Sequence, residues 1–164
     1  MTARRITLSG LMGALLYVSQ VVMSGLPNIH LVAVLLIAYV LVLPREAAGA
    51  TAVFILLEGF TYGFGIWWLS YLYIWPLFVL AVYLLRKWDH ALFWAAVAGA
   101  FGLSFGALCA IPYLFAGGPT MAAAYWVSGI PFDLAHGAGN FIGTAILYRP
   151  LYRLLSRLKK SLRL

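Results

Sequence analysis

Long apolar runs separated by short basic clusters dominate this sequence. Lysine and arginine occur only at positions 4, 5, 45, 86 and 87 and from 149 onward. Of the 164 residues, 65% are hydrophobic and 9% are charged, whereas soluble domains carry roughly 25% charged residues. A single domain of this length could not bury so much apolar surface away from water. We therefore predict an all-α integral membrane protein, because each spanning helix needs about 20 mostly apolar residues.

The apolar runs predict six transmembrane helices in a single membrane domain of residues 1–164. The predicted spans cover roughly residues 6–24, 30–43, 48–64, 71–85, 91–115 and 131–148. Residues 120–129 fit either a short interfacial helix or a lid. The sixth span is expected to begin near Pro131, because proline suits the first turn of a helix.

The basic clusters also predict how the helices are oriented. If the N-terminus is cytoplasmic, the outer connections fall near residues 25–30, 65–70 and 116–129, and none of them contains lysine or arginine. Every basic residue then lies inside, as the positive-inside rule requires. We therefore predict that both termini are cytoplasmic.

The C-terminal segment, residues 149–164, is predicted to be a basic amphipathic tail that follows a helix bundle of residues 1–148. Leucines at positions 151, 154, 155, 158 and 162 share one face at helical spacing, with basic residues on the other face. Such a segment either lies on anionic lipid of the inner leaflet or serves only as a stop-transfer anchor.

Several function classes lack the residues they need. Cys109 is the only cysteine, so neither an intramolecular disulfide nor a cysteine-rich metal site is expected. His30 and His136 have no defined metal-ligand spacing, so we predict no metal and no cofactor. The chain contains no phosphate-binding loop and is not expected to hydrolyse ATP itself. No motif indicates an enzyme.

Ionisable and amide side chains inside the apolar runs are the first candidates for a binding site, because they are costly in a membrane. Glu58 in the third span is either a ligand contact or a structural carboxyl paired with a tyrosine or with His136. Asp133, His136 and Asn140 form one stripe on the sixth span at i, i+3, i+7 spacing. For Asp133, simple stabilisation of the first helical turn is the alternative.

An aromatic segment connects the third and fourth spans. Its candidate binding residues are Tyr62, Trp67, Trp68, Tyr71 and Trp75. Tyrosine and tryptophan favour the membrane interface, but aromatic faces also line small-molecule sites. We expect a mixture, with some rings in a pocket and others in an interfacial belt. Asn28 and His30, in the first outer connection, are expected to face the same opening.

All of these candidates fall in the predicted outer half of the membrane, whereas the inner half contains basic clusters and apolar residues. A channel would need polar residues through its full depth. The pattern therefore predicts an outward-facing cup. Its acidic and aromatic residues favour a flat ring that carries a cationic or hydrogen-bond-donating group.

Small residues recur at four-residue spacing, which permits close helix crossing in lipid. They occur at 9 and 13 and at 10 and 14 in the first span, at 102, 106 and 110 in the fifth, and at 135, 139 and 143 in the sixth. Gly10 and Ala14 are the candidates for a partner interface.

The chain resembles the substrate-binding S component of energy-coupling factor (ECF) transporters over essentially its whole length. The resemblance rests on Gly10 to Ala14, on LLEGFTYGFG at residues 56–65 and on PFDLAHGAGN at residues 131–140. It implies high-affinity capture of a vitamin-like micronutrient at a bacterial plasma membrane. It also implies a transmembrane coupling subunit and two ATP-binding-cassette ATPase subunits as partners. In that family alanines usually occupy the positions of Gly10 and Ala14.

Two other classes remain open. A scaffold protein of the MreD type, which acts in cell-shape and wall synthesis, is similar in size, helix number and basic tail. It would not need an aromatic cup containing Glu58. A membrane enzyme could use Glu58 or Asp133 with His136 as acid and base.

Overall fold

The computed structural model describes residues 2–26 and 28–162, which form helices and no strand. The helices are α1 (Ala3–Val22), α2 (Val32–Val42), α3 (Pro44–Tyr62), α4 (Ile66–Leu85), α5 (Ala91–Cys109) and α6 (Ile111–Ser161). In this part of the chain, α1, α4 and α5 are long and apolar enough to cross a membrane. The predicted all-α class and the presence of apolar helices of spanning length are thus confirmed.

The short helix α2 lies at the centre of the bundle. All of its 11 residues except Leu41 are buried. An α-helix of this length spans only about 16 Å, and a helix that is hydrophobic on every side is normally surrounded by other helices. Its burial explains why the second apolar run shows no polar face. The following helix, α3, begins at Pro44, which occupies the first turn as proline prefers.

The predicted boundary between the fifth and sixth helices is wrong. The α5 helix ends at Cys109, and α6 begins at Ile111. Its backbone is interrupted at Gly117 and at Gly118, where φ is 77°, and then continues to Ser161. Residues 120–129 are therefore helical and belong to α6. The helix continues through Pro131, which a helix within a bundle tolerates when neighbouring groups satisfy the freed backbone.

Successive helices of the bundle run in opposite directions. Arg5 pairs with Glu46 at 3.4 Å, and the Tyr17 and Thr61 hydroxyls lie 2.9 Å apart. These two contacts, one near each end, show that α1 and α3 are parallel. Arg5, Glu46, Val42 and Lys159 line one cavity, and the Tyr148 hydroxyl of α6 donates a hydrogen bond to Asp89, just before α5. The N-termini of α1, α3 and α5 therefore share one end with the C-termini of α2, α4 and α6.

This shared end, which we call the basic end, collects the charged segments. The Lys159 ammonium donates a hydrogen bond to the Val42 carbonyl at 2.8 Å, and the Arg149 guanidinium pairs with Asp89 at 2.9 Å. Arg5 lies at the same end. Segments that are far apart in sequence thus place their basic residues together at one end of the bundle.

The predicted tail is continuous with α6 as far as Ser161 and is not a separate segment; residues 163 and 164 lie outside the described residues. Leu151 and Leu155 pack against the hydrophobic core, whereas Leu154 and Leu158 are exposed. The Lys159 hydrogen bond to the end of α2 also attaches the tail to the bundle. One part of its leucine face therefore stabilises the protein, and the other part remains on the surface.

Candidate ligand cavity

A cavity of about 390 Å³ lies at the end of the bundle opposite the basic end. Pockets of roughly 300–1,000 Å³ are typical of small-molecule sites. The predicted binding residues that line it are Asn28, His30, Glu58, Tyr62, Trp67, Tyr71 and His136. The structure therefore brings together residues from five separate parts of the sequence around one space.

Sequence reasoning missed several residues of this cavity. They are Gln20, Met23, Ser24, Leu26, Ile29 and Phe105. Gln20 is the most informative of them, because its amide Nε2 lies 3.5 Å from the Tyr71 hydroxyl. An amide inside an apolar run was a usable signal. Phe105 carried no such signal, since it is one of ten phenylalanines in the chain.

Glu58 is the acidic group of the cavity. It lies on α3, is 1% exposed, and its Oε1 atom has no hydrogen-bond partner among the described residues. A pairing with a tyrosine or with His136, the structural alternative raised above, is not among the hydrogen bonds of the described bundle. A buried carboxyl without a partner is costly, so this oxygen is available to accept a hydrogen bond from a ligand.

Two histidines meet at the wall of the cavity. The rings of His30 and His136 make an edge-to-face contact, with their centres 4.9 Å apart. The Phe105 ring contacts His136 with the same distance between ring centres. Neither nitrogen of His136, nor Nδ1 of His30, has a partner in residues 2–26 and 28–162. Burial lowers the pKa of His30, in the α1–α2 connection, to about 4. This imidazole is therefore neutral near pH 7 and can both donate and accept.

The predicted aromatic residues separate into three groups. Tyr62, Trp67 and Tyr71 line the cavity. Trp75 is fully buried beneath it and contacts Tyr71 edge-to-face at 5.7 Å. Trp68 faces away from the cavity, where its indole N–H donates to the Ile55 carbonyl at 2.9 Å. Trp75 and Trp68, which the sequence offered as candidate binding residues, are therefore not lining residues of the cavity.

The polar stripe on α6 is buried, but of its residues only His136 lines the cavity of about 390 Å³. Asp133 accepts a hydrogen bond from the Gly106 backbone N–H at 2.9 Å and lines a neighbouring cavity of about 310 Å³. Asp133 does not stabilise a first helical turn, since α6 begins well before it. Asn140 is 3% exposed and lies outside both cavities.

The stripe continues toward the basic end, which the sequence analysis did not anticipate. Thr144 is fully buried, and Tyr148 is 1% exposed. The Tyr148 hydroxyl donates to Asp89 at 3.0 Å. The half of the bundle at the basic end is therefore not purely apolar. One face of α6 carries polar groups from the cavity to the basic end.

The small residues of α1 have two different surroundings. A Cβ added at Gly13 would lie 2.6 Å from the Val53 Cβ, so Gly13 permits the close crossing of α1 and α3. Apart from its own helical backbone and chain neighbours, no atom of the described residues lies within 4 Å of a Cβ added at Gly10. Ala14 is half-buried. The Gly10 position thus lies on the surface of the bundle.

The comparisons with known proteins add no assignment. No family model, no curated protein and no solved structure matches this chain.

Proposed function

We propose that this protein is the substrate-binding S component of an ECF-type importer and captures a small, ring-containing, vitamin-like molecule outside the cell. In this proposal the chain crosses the plasma membrane six times, and both termini are cytoplasmic. The ligand cavity then opens outward, and the basic end faces the cytoplasm. The ECF coupling subunit and its two ATPase subunits supply the energy for release inside.

The observation that carries the proposal is the cavity, in which unpartnered polar atoms and aromatic rings face the same space. Glu58, Gln20 and His136 each have a buried polar atom without a partner in the described chain. Trp67 and Tyr71 offer ring faces and edges beside them. Such a mixture of apolar walls and a few convergent polar groups is what small-molecule recognition requires.

The distribution of charge supports the proposed orientation. The connections at the cavity end contain no lysine or arginine, and the basic residues gather at the other end. Basic residues are retained on the cytoplasmic side of membranes. A cavity at the opposite end is therefore placed to meet solutes outside the cell.

The charges also restrict the ligand. Glu58 and Asp133 are the acidic residues toward the cavity end of the bundle, and no lysine or arginine lies near them in sequence. A ligand with a cationic or hydrogen-bond-donating group would match the free Glu58 oxygen. A flat ring would stack on, or contact the edges of, the aromatic residues.

The test is to identify the small molecule that co-purifies with the protein. The protein would be extracted in detergent, washed, denatured, and its released small molecules analysed by mass spectrometry. We expect one ring-containing compound in a near-stoichiometric amount, and much less of it with Glu58→Gln. Asp89→Asn, at the basic end, is the matched control and should retain the compound. If the parent protein releases no compound and binds none of a panel of vitamins, the proposal fails.

A further inference from the structure

A second, apolar groove lies on the outer surface of the bundle between α3 and α4. It has a volume of about 600 Å³ and extends from Trp68 to Pro44 and Tyr83. Ala48 and Ala52 line it on one side, and Leu72 on the other. Because α4 is long enough to cross a membrane, the groove extends along the direction of the lipid chains.

The polar side chains near the centre of the groove are already hydrogen-bonded within the protein. The Thr51 hydroxyl donates to the Ala47 carbonyl at 2.8 Å, and the Trp68 indole N–H donates to Ile55. Both polar side chains are thus already satisfied within the protein. These side chains leave no hydrogen bond for an occupant to make, so the wall that they form suits a hydrocarbon chain.

A basic cavity of about 280 Å³ adjoins the inner end of the groove, and Pro44 lines both. Arg5, Arg45 and Lys159 line this basic cavity together with Glu46. Arg5 pairs with Glu46, whereas Arg45 forms no ion pair with any residue of the described ranges. Three cationic groups against one carboxylate leave an excess of positive charge, which an anion would balance.

The adjoining groove and basic cavity together match an amphiphile. We propose that they form a binding site for one anionic phospholipid, with an acyl chain in the groove and the phosphate beside Arg45 and Lys159. Arg86, whose guanidinium lies 3.8 Å from the centre of the Tyr83 ring, stands at the rim and adds to the positive charge. Anionic lipids of the inner leaflet attract such basic groups.

This proposal does not depend on the ligand cavity, since no residue that lines the groove or the basic cavity lines the ligand cavity. A free phosphate would use the basic cavity and leave the groove without a role. A partner helix would use the exposed alanines at 48 and 52 but would not bring an anion to Arg45. The connection of the two spaces at Pro44 favours the lipid.

The test compares two lipids and two pairs of matched variants. Delipidated protein in detergent would be titrated with phosphatidylglycerol or phosphatidylcholine, and bound lipid would be counted by native mass spectrometry. Arg45→Gln removes the unpaired charge, and Lys87→Gln removes a basic residue of the same end that does not line either space. Ala52→Trp fills the groove, and Ala96→Trp adds the same side chain at an exposed position on α5.

We expect the parent protein to bind one phosphatidylglycerol more tightly than phosphatidylcholine. Arg45→Gln should weaken phosphatidylglycerol binding about fivefold, and Ala52→Trp should weaken binding of both lipids. The two controls should match the parent. Equal affinity for the two lipids, equal effects of the 45 and 87 variants, or unchanged binding by Ala52→Trp would each overturn the proposal. So would full displacement of the lipid by millimolar glycerol phosphate, because the headgroup alone would then suffice.

Discussion

The crossing of α5 and α6 is close enough that adding one methyl group should destabilise the protein. A Cβ at Gly102 would lie 2.7 Å from the Gly137 nitrogen and 2.8 Å from the carbonyl carbon of His136. These are backbone atoms, so no side chain can rotate away. Restoring ordinary contact, which begins at 3.4 Å, requires the helices to separate by about 0.7 Å.

We therefore expect Gly102→Ala to lower the free energy of unfolding by about 1–3 kcal/mol, as overpacking of a filled interior does. At about 2–4 °C per kcal/mol for a chain of this size, Tm should fall by roughly 2–12 °C. The single cysteine provides the assay. Cys109 is buried, so a thiol-reactive fluorogenic dye reports its exposure as the detergent-solubilised protein is heated.

Gly143→Ala is the matched control on α6. Apart from its own helical backbone and chain neighbours, no atom of the described residues lies within 4 Å of a Cβ added at Gly143. Alanine there should leave Tm unchanged or raise it, because glycine is the weaker helix former by about 1 kcal/mol. The two substitutions are chemically identical, so a lower Tm for Gly102→Ala than for Gly143→Ala would report the close crossing of α5 and α6. If Gly102→Ala unfolds at or above the Tm of the parent protein, the close crossing is not a constraint and the reasoning is wrong.

Three further predictions concern the proposed function. Glu58→Gln should weaken binding of the identified ligand about tenfold or more; unchanged affinity in a tryptophan-fluorescence titration would make Glu58 structural. Leucine at both Gly10 and Ala14 should abolish cellular uptake but leave binding to the purified protein intact, and loss of binding would show that this face packs within the bundle. Single cysteines at the exposed positions Ser128 and Ser161, in a cysteine-free background, should react with an impermeant thiol reagent from outside and inside, respectively. Labelling of position 161 in intact cells would contradict the proposed topology.

The sequence predicted the helical fold well where hydropathy alone decides it, and poorly where proline was taken as a boundary. The basic clusters at 45 and 86 separate apolar runs, and helices do end or begin beside them. Pro131 looked like the start of a helix but lies inside α6, because tertiary packing overrides the preference of a single residue. The interruption at Gly117 and Gly118 instead follows from two consecutive glycines, one with positive φ.

The candidate site was partly predictable for a similar reason. Glu58 and His136 stand out as polar residues in apolar runs, and both line the cavity. Trp67 and Trp68 could not be distinguished, because neighbouring residues on a helix point in different directions and the rotation of α4 was unknown. With α4 starting at Ile66, Trp67 and Tyr71 fall on one face at i, i+4 spacing, and both line the cavity.

The length of α6 has a mechanical consequence. His136 at the ligand cavity and Lys159 at the basic end lie on this same helix, about 35 Å apart along its axis. If this segment rotates as a rigid body, each degree of tilt at the cavity displaces its far end by about 0.6 Å. A tilt of about 5° would displace the Lys159 ammonium by more than the 2.8 Å that separates it from the Val42 carbonyl. Unless Pro150 absorbs the motion by bending, such a tilt would change the distance across this hydrogen bond at the basic end.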